Sequence, residues 1–180
     1  MIDVEEGVSD TELRGERLTG EDLTKLRVTG SKLIDCELSG ASLAQADLWR
    51  VELRGCRMSG VVLDGARLRD VTLVGCKLDT ASMRALRAEK ATFDDCVLRE
   101  ADLSDSRWKD SAILGCDLDA AIVTGADLRG TRVARSTIDR VIGADSLRGI
   151  VIAEDQAIGL GLRVLDAIGV TVETDEKEPH

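Results

Sequence analysis

Large apolar residues recur every five positions from Leu13 to Ile138, 26 in succession with no insertion or deletion. Only one of these centres, Ala88, is small. Two residues before each centre lies a second constrained position. From Ser31 onward it holds Ala, Cys, Ser, Thr or Val almost everywhere. The remaining three positions of each five are mostly charged, Thr, Ser or Gly. A helix would repeat its apolar face near 3.6 residues and a strand near 2. A period of five with two inward positions instead requires a chain that turns a corner every five residues. Four corners close a square coil of 20 residues, and such coils stack at the strand-to-strand spacing of about 4.8 Å. Centres fill the middle of the square and the small residues its corners. The 26 centres make about six and a half coils, a rod roughly 30 Å long.

Two details support this register. Cys36, Cys56, Cys76, Cys96 and Cys116 are spaced by 20 throughout, one per coil. At Leu86 the corner residue is large and its centre, Ala88, is small, so volume is exchanged within one unit, as a close-packed core requires. The triplets Ala46-Asp47-Leu48, Ala101-Asp102-Leu103 and Ala126-Asp127-Leu128 carry the resemblance to a known family. The pattern resembles the pentapeptide repeat, whose consensus is A-(D/N)-L-x-x, over residues 11–140. That resemblance implies an all-β fold, a right-handed quadrilateral β-helix. Glu16 and Glu21 occupy corner positions, so the first coil is expected to be irregular.

Four segments follow. Residues 1–10 form a lead-in, 11–140 the β-helix, 141–172 a strand-helix cap and 173–180 a charged, disordered tail. Within the cap, Gly149-Ile150-Val151-Ile152 reads as a last short strand and residues 154–168 as a helix stopped by Gly169. Val170–Val172 reads as one more extended piece. A solenoid end is an open sheet edge, so a covering element is expected there. The polar residues Gln156, Arg163 and Asp166 of the helix fall within an arc of roughly 80°. The apolar remainder is wider than one buried face needs. One side is therefore expected to cover the last coil and the other, through Ile158, Leu162 and Leu165, to meet a second subunit. The resemblance points the same way, because the quinolone-resistance members pair through their C-terminal ends.

Charge changes the picture by its location. The net charge is −10, but residues 11–140 carry 21 basic and 22 acidic side chains. The acidity lies in residues 1–10 and in residues 141–180. One face of the rod is basic: it carries Arg27, Arg50, Arg67, Arg69, Arg87, Lys90, Arg107, Lys109 and Arg129 against five acids, with Trp49 outward. Trp49, Arg50, Arg67, Arg69 and Arg87 are the candidate surface for an acidic protein partner. Direct nucleic-acid binding is not expected of a molecule acidic as a whole.

Enzyme chemistry is not expected. The sole histidine is His180, and the chain has no Gly-rich phosphate loop, metal-spaced Cys/His cluster or Ser-His-Asp set. No cofactor or metal is expected. The five cysteines read as small hydrophobes in corners. Their odd number, the acidic residues 1–10 without a signal-like run and the lack of an 18-residue apolar run together predict a cytoplasmic protein with no membrane association. Two functions follow from the resemblance: a protein–protein interaction module, and a B-DNA mimic that binds DNA gyrase or another topoisomerase and confers resistance to gyrase inhibitors. The near-neutral rod and the use of Leu where the mimics place Phe favour the first.

Overall fold

The computed structural model describes residues 3–138 and 140–172. Its strands are β1 (Val8–Ser9), β2 (Glu12–Arg14), β3 (Arg27–Thr29), β4 (Lys32–Ile34), β5 (Asp47–Arg54), β6 (Arg67–Val74), β7 (Arg87–Glu89), β8 (Thr92–Asp94), β9 (Arg107–Lys109), β10 (Ala112–Leu114), β11 (Arg132–Ala134) and β12 (Val151–Ile152). One helix, α1 (Ala157–Ala167), follows. All strand pairs are parallel, and between β1 and β11 every partner is 20 residues on, as in Leu33↔Leu53, Leu73↔Phe93 and Ile113↔Val133. Two faces of the coil carry these strands. The other two are linked by single bridges with the same offset, such as Glu37↔Arg57 and Ser82↔Asp102. The result is a quadrilateral parallel β-solenoid of about seven turns with one C-terminal helix.

Backbone hydrogen bonds run from coil to coil. The Leu38 N–H donates to the Arg57 carbonyl (2.7 Å), and the Arg57 N–H to the Cys36 carbonyl (2.9 Å). The chain reverses at every fifth residue, two beyond each centre. From Asp10 to Arg135 all of these residues have positive φ; 11 are glycine and 15 are not. Two of the four corners are closed by a four-residue turn. One is Leu38–Ala41, where the Ala41 N–H donates to the Leu38 carbonyl (3.0 Å) and Gly40, at φ 67, takes the third place. The small residues line the inside of these corners; Ala41, Ala46, Cys56 and Val61 are all fully buried.

The centres and the small residues form one continuous core from Leu18 to Leu160. Both Leu86 and Ala88 are buried, so the exchange of volume read from the sequence is present. The first coil departs from expectation by being regular in its backbone. Val8 pairs with Val28, Leu13 with Leu33, and Arg17 bridges Glu37. Glu16 and Glu21 are simply exposed. The coil-to-coil ladder in this coil is made by main-chain groups, as in the Gly15 N–H donating to the Ile34 carbonyl, so a charged residue can leave the corner without breaking it.

At the C-terminal end the backbone register outlasts the side-chain pattern. Ile142 still bridges Ile122 although the next centre position is Gly143. The coil then loses one residue, because Arg132 pairs with Val151. A 3₁₀ turn at Ala144–Ser146 takes up the difference and buries Ala144. α1 packs over this end with Leu160 buried and Val164 against the core. The Gln156 side-chain amide donates to the Ser136 carbonyl (2.5 Å). Gly169, at φ 79, ends the helix in a double hydrogen-bonded stop: its N–H donates to the Asp166 carbonyl (3.0 Å) and the Val170 N–H to that of Leu165 (2.8 Å). Val170–Val172 forms no strand, contrary to expectation, and both valines are exposed. By this point the last paired strand, β12, is separated from them by α1. The expected tail at 173–180 lies outside the described residues.

Candidate functional site

The basic residues converge because β3, β5, β6, β7 and β9 share one face in strict register. Each centre on this face is buried, so its neighbours on either side point outward. Pairing places Asp47, Arg67, Arg87 and Arg107 in one row and Trp49, Arg69, Glu89 and Lys109 in the next. Arg67, Arg69, Arg87, Arg107, Lys109 and Arg129 line a concavity of about 560 Å³ together with Glu89 and Asp127, over a floor of Ala88 and Trp108. The buried Trp108 indole lies 5.1 Å from the Phe93 ring and donates to the Ser106 hydroxyl (3.0 Å).

Of the five residues expected to meet a partner, Arg67, Arg69 and Arg87 lie in this concavity. Trp49 and Arg50 stand one coil earlier on the same face. Trp49 is 40% exposed, and the Arg50 guanidinium carbon sits 4.4 Å from its ring centroid. Such an exposed cation–π contact is worth about 0.5–1 kcal/mol and presents a rigid, amphipathic surface. That Arg107, Lys109 and Arg129 share this face was visible in the 20-residue spacing of the sequence. That these residues line one concavity was not visible there.

Elsewhere on the rod several charges pair between coils, while Arg17, Lys77 and Arg132 form no ion pair among the described residues. Arg57 meets Glu37 (3.6 Å), Arg84 meets Asp102 (2.8 Å), Arg99 meets Asp117 (2.5 Å) and Arg140 meets Asp119. On the basic face Asp47 is held by Arg69 (3.0 Å), Glu89 by Lys109 (3.6 Å) and Asp127 by Arg129 (2.7 Å). The hydrogen bonds from Arg129 bring the Asp127 carboxyl down to about 2. Arg67, Arg87 and Arg107 form no ion pair among the described residues.

The second candidate surface is on α1. Ile158 and Leu162 are exposed, at 81% and 50%, and Leu165 is half-buried in the same stripe. With Ile142, Val151, Ile168, Val170 and Val172 also exposed, the C-terminal end is the apolar end of the molecule. The five cysteines are free and buried. Each thiol donates to two backbone carbonyls, as Cys56 does to Leu33 (3.4 Å) and Arg54 (3.5 Å). Contact with neighbouring thiols, together with burial, pushes the Cys56 and Cys96 thiols up. Ser136 takes the same place in the next coil and donates to the same kind of carbonyl pair. Among the described residues no helix is long and apolar enough to cross a membrane.

A parallel solenoid with four short sides and a five-residue turn repeat is one class of protein, the quadrilateral β-helix. The chain belongs to the pentapeptide-repeat family: the model for the pentapeptide repeat region matches residues 46–123, and that for eight copies of the repeat matches residues 22–60. No curated protein matches the chain by sequence. Among solved structures it is similar to HetL, a pentapeptide repeat protein involved in heterocyst differentiation regulation in the cyanobacterium Nostoc sp. strain PCC 7120. The identity is 20%, the TM-score 0.50, and the likeness spans 74% of this chain and 62% of HetL. It is also similar to QnrB1, a plasmid-mediated fluoroquinolone resistance protein, at 15% identity and a TM-score of 0.46, over 93% of this chain and all of that one. At 20% identity the likeness to HetL is one of fold.

Proposed function

We propose that this protein is a non-enzymatic interaction module that docks an acidic protein partner on its basic face and pairs with a second copy of itself through α1. The observation that carries the docking reading is a run of like charge. Lone cations such as Arg17, Lys77 and Arg132 occur on other faces, but on this face Arg67, Arg87 and Arg107 stand on consecutive coils with no ion pair among the described residues. Trp49, stacked with Arg50, extends the same face with the residue types that anchor interfaces. The exposed stripe of Ile158, Leu162 and Leu165 supplies the self-association surface. The five unpaired thiols fit a reducing cytoplasm.

A pull-down from cell extract tests the docking face. Replacing Arg67, Arg69 and Arg87 by Glu should remove a specific partner, and an unchanged partner set would end this reading. Light scattering tests the pairing. The chain should have the mass of a dimer at micromolar concentration and that of a monomer when Ile158 and Leu162 become Glu.

The second reading, a B-DNA mimic that binds DNA gyrase, draws on the same self-association stripe, since a paired rod would be long enough to lie along a DNA-binding groove. The basic face opposes it, because a mimic needs carboxylates along its length. In a gyrase supercoiling assay an excess of this protein should neither inhibit nor protect the enzyme. Inhibition, or protection against an inhibitor, would favour the mimic.

A further inference from the structure

On the basic face, the outward row before each centre reads Arg27, Asp47, Arg67, Arg87, Arg107, Asp127 on successive coils. It is the only outward row of the coil in which three like charges stand on consecutive rungs. Like charges directly opposite one another destabilise a sheet. The acids of this row and the next each form an ion pair with another cation, Asp47 with Arg69, Glu89 with Lys109 and Asp127 with Arg129, and Asp127 also attracts Arg107 across the bridge. Three arginines thus stand on consecutive coils beside a concavity, none of them in an ion pair among the described residues.

We propose that Arg67, Arg87 and Arg107 form a binding site for a linear oligophosphate of about three phosphoryl groups, free or as the tail of a nucleotide. The row sets the length. Two steps of about 4.8 Å separate the outer arginines by about 10 Å. Asp47 and Asp127 close the row at its two ends, so a long polyanion running along it would meet a carboxylate. The guanidinium fork matches phosphate oxygens in pairs. The concavity, an open groove of about 560 Å³, has room for such a ligand. Its lining favours phosphate over an acidic peptide. Apart from Ala88 and Trp108, every lining residue is charged. The amides and apolar atoms of a peptide would have little to pack on, whereas an oligophosphate is anionic along its whole length. The site stands independently of the docking reading, although a bound oligophosphate would occupy Arg67 and Arg87 and so exclude an acidic partner.

Isothermal titration of the full chain at about 150 mM salt tests this, where long-range attraction is screened and only close contacts count. The probes are sodium triphosphate, diphosphate, orthophosphate, ATP without metal, and a hexaglutamate peptide. One triphosphate should bind per chain. Affinity should fall about tenfold for each phosphoryl group removed and about tenfold in Arg87→Gln, the loss expected for one charge-assisted contact. Arg84→Gln, which removes a paired arginine on another face, should leave binding unchanged. ATP binding as tightly as triphosphate places the ligand among nucleotides, and weaker ATP binding places it among free oligophosphates; both uphold the site. No saturable binding up to about 1 mM triphosphate would overturn it, since three charge-assisted contacts should bind more tightly than that. So would undiminished binding in Arg87→Gln, or hexaglutamate binding as tightly as triphosphate. The thermal midpoint of unliganded Arg87→Gln should match or exceed that of the parent, because like-charge repulsion is relieved. That separates loss of the site from loss of the fold. Failure to bind phosphate leaves the pull-down outcome standing, because the pull-down reads a protein ligand.

Discussion

Leu86 and Ala88 allow the packing argument to be tested as a cycle. Leu86 is 0% exposed and Ala88 3% exposed. Ala88 pairs with Leu68 on one side and Trp108 on the other, and Trp108 packs on Phe93. The space a leucine would fill at position 88 is therefore occupied by Leu86 and the two rings. Leu86→Ala should cost about 2–5 kcal/mol, the range for truncating a fully buried leucine. Ala88→Leu should cost about 1–3 kcal/mol by overpacking against Trp108. Were the sites independent, the double variant would lose the sum, about 3–8 kcal/mol. Because they share one volume, the double variant Leu86→Ala/Ala88→Leu should recover about 1–3 kcal/mol of that sum and be no less stable than Leu86→Ala alone. Denaturant unfolding followed by circular dichroism on the four proteins reads the cycle. The thermal midpoint should move by about 2–4 °C per kcal/mol for a chain of this size. Losses that add to within about 0.5 kcal/mol would refute the shared-volume reasoning.

Other expectations concern backbone, acid and thiols. Gly40→Ala adds a Cβ into open space at φ 67, so it should cost only the left-handed strain of about 1–2 kcal/mol. Gly143→Ala, at φ 84 and against the Thr124 backbone, should cost more; equal losses in thermal unfolding would contradict the geometry. Asp127 is lowered by Arg129, Asp22 by Thr24, Glu37 by Ser39 and Asp119 by Arg140. A depressed carboxyl stabilises the folded state above its unfolded pKa and loses that effect as pH falls through its folded pKa. The denaturation midpoint should therefore be flat from neutral pH to about 5 and fall between about pH 4 and 2. A fall already complete above pH 5 would show that other groups govern acid stability. A thiol reagent should label the five cysteines, each at most 2% exposed, slowly in native buffer and rapidly in denaturant; fast native labelling of all five would show that the corners open.

Much of the fold was legible in the residues because one repeat governs both sequence and space. Each coil takes 20 residues, so a side chain's place in the five-residue register decides whether it points inward or outward. That was enough to bring Arg67, Arg69 and Arg87 to one face and to bury the cysteines. The residue at each turn was not legible. Lys25, Thr80, Ala85 and Glu100 take the same left-handed conformation as the glycines. What holds them there lies in the next coil: the Thr80 N–H donates to the Arg99 carbonyl (2.8 Å) and the Ala85 N–H to that of Ser104 (2.9 Å).

The sequence by itself determined the coil length, the inward set and the basic face, because these depend only on a period. Tertiary structure decided what a period cannot carry. It set which carboxylates Arg69, Lys109 and Arg129 reach and left Arg67, Arg87 and Arg107 in no ion pair among the described residues. It kept the first coil regular despite Glu16 and Glu21 and removed one residue from the last coil. These outcomes rest on side-chain reach and main-chain bonds between coils, and both exist only once the coils are stacked.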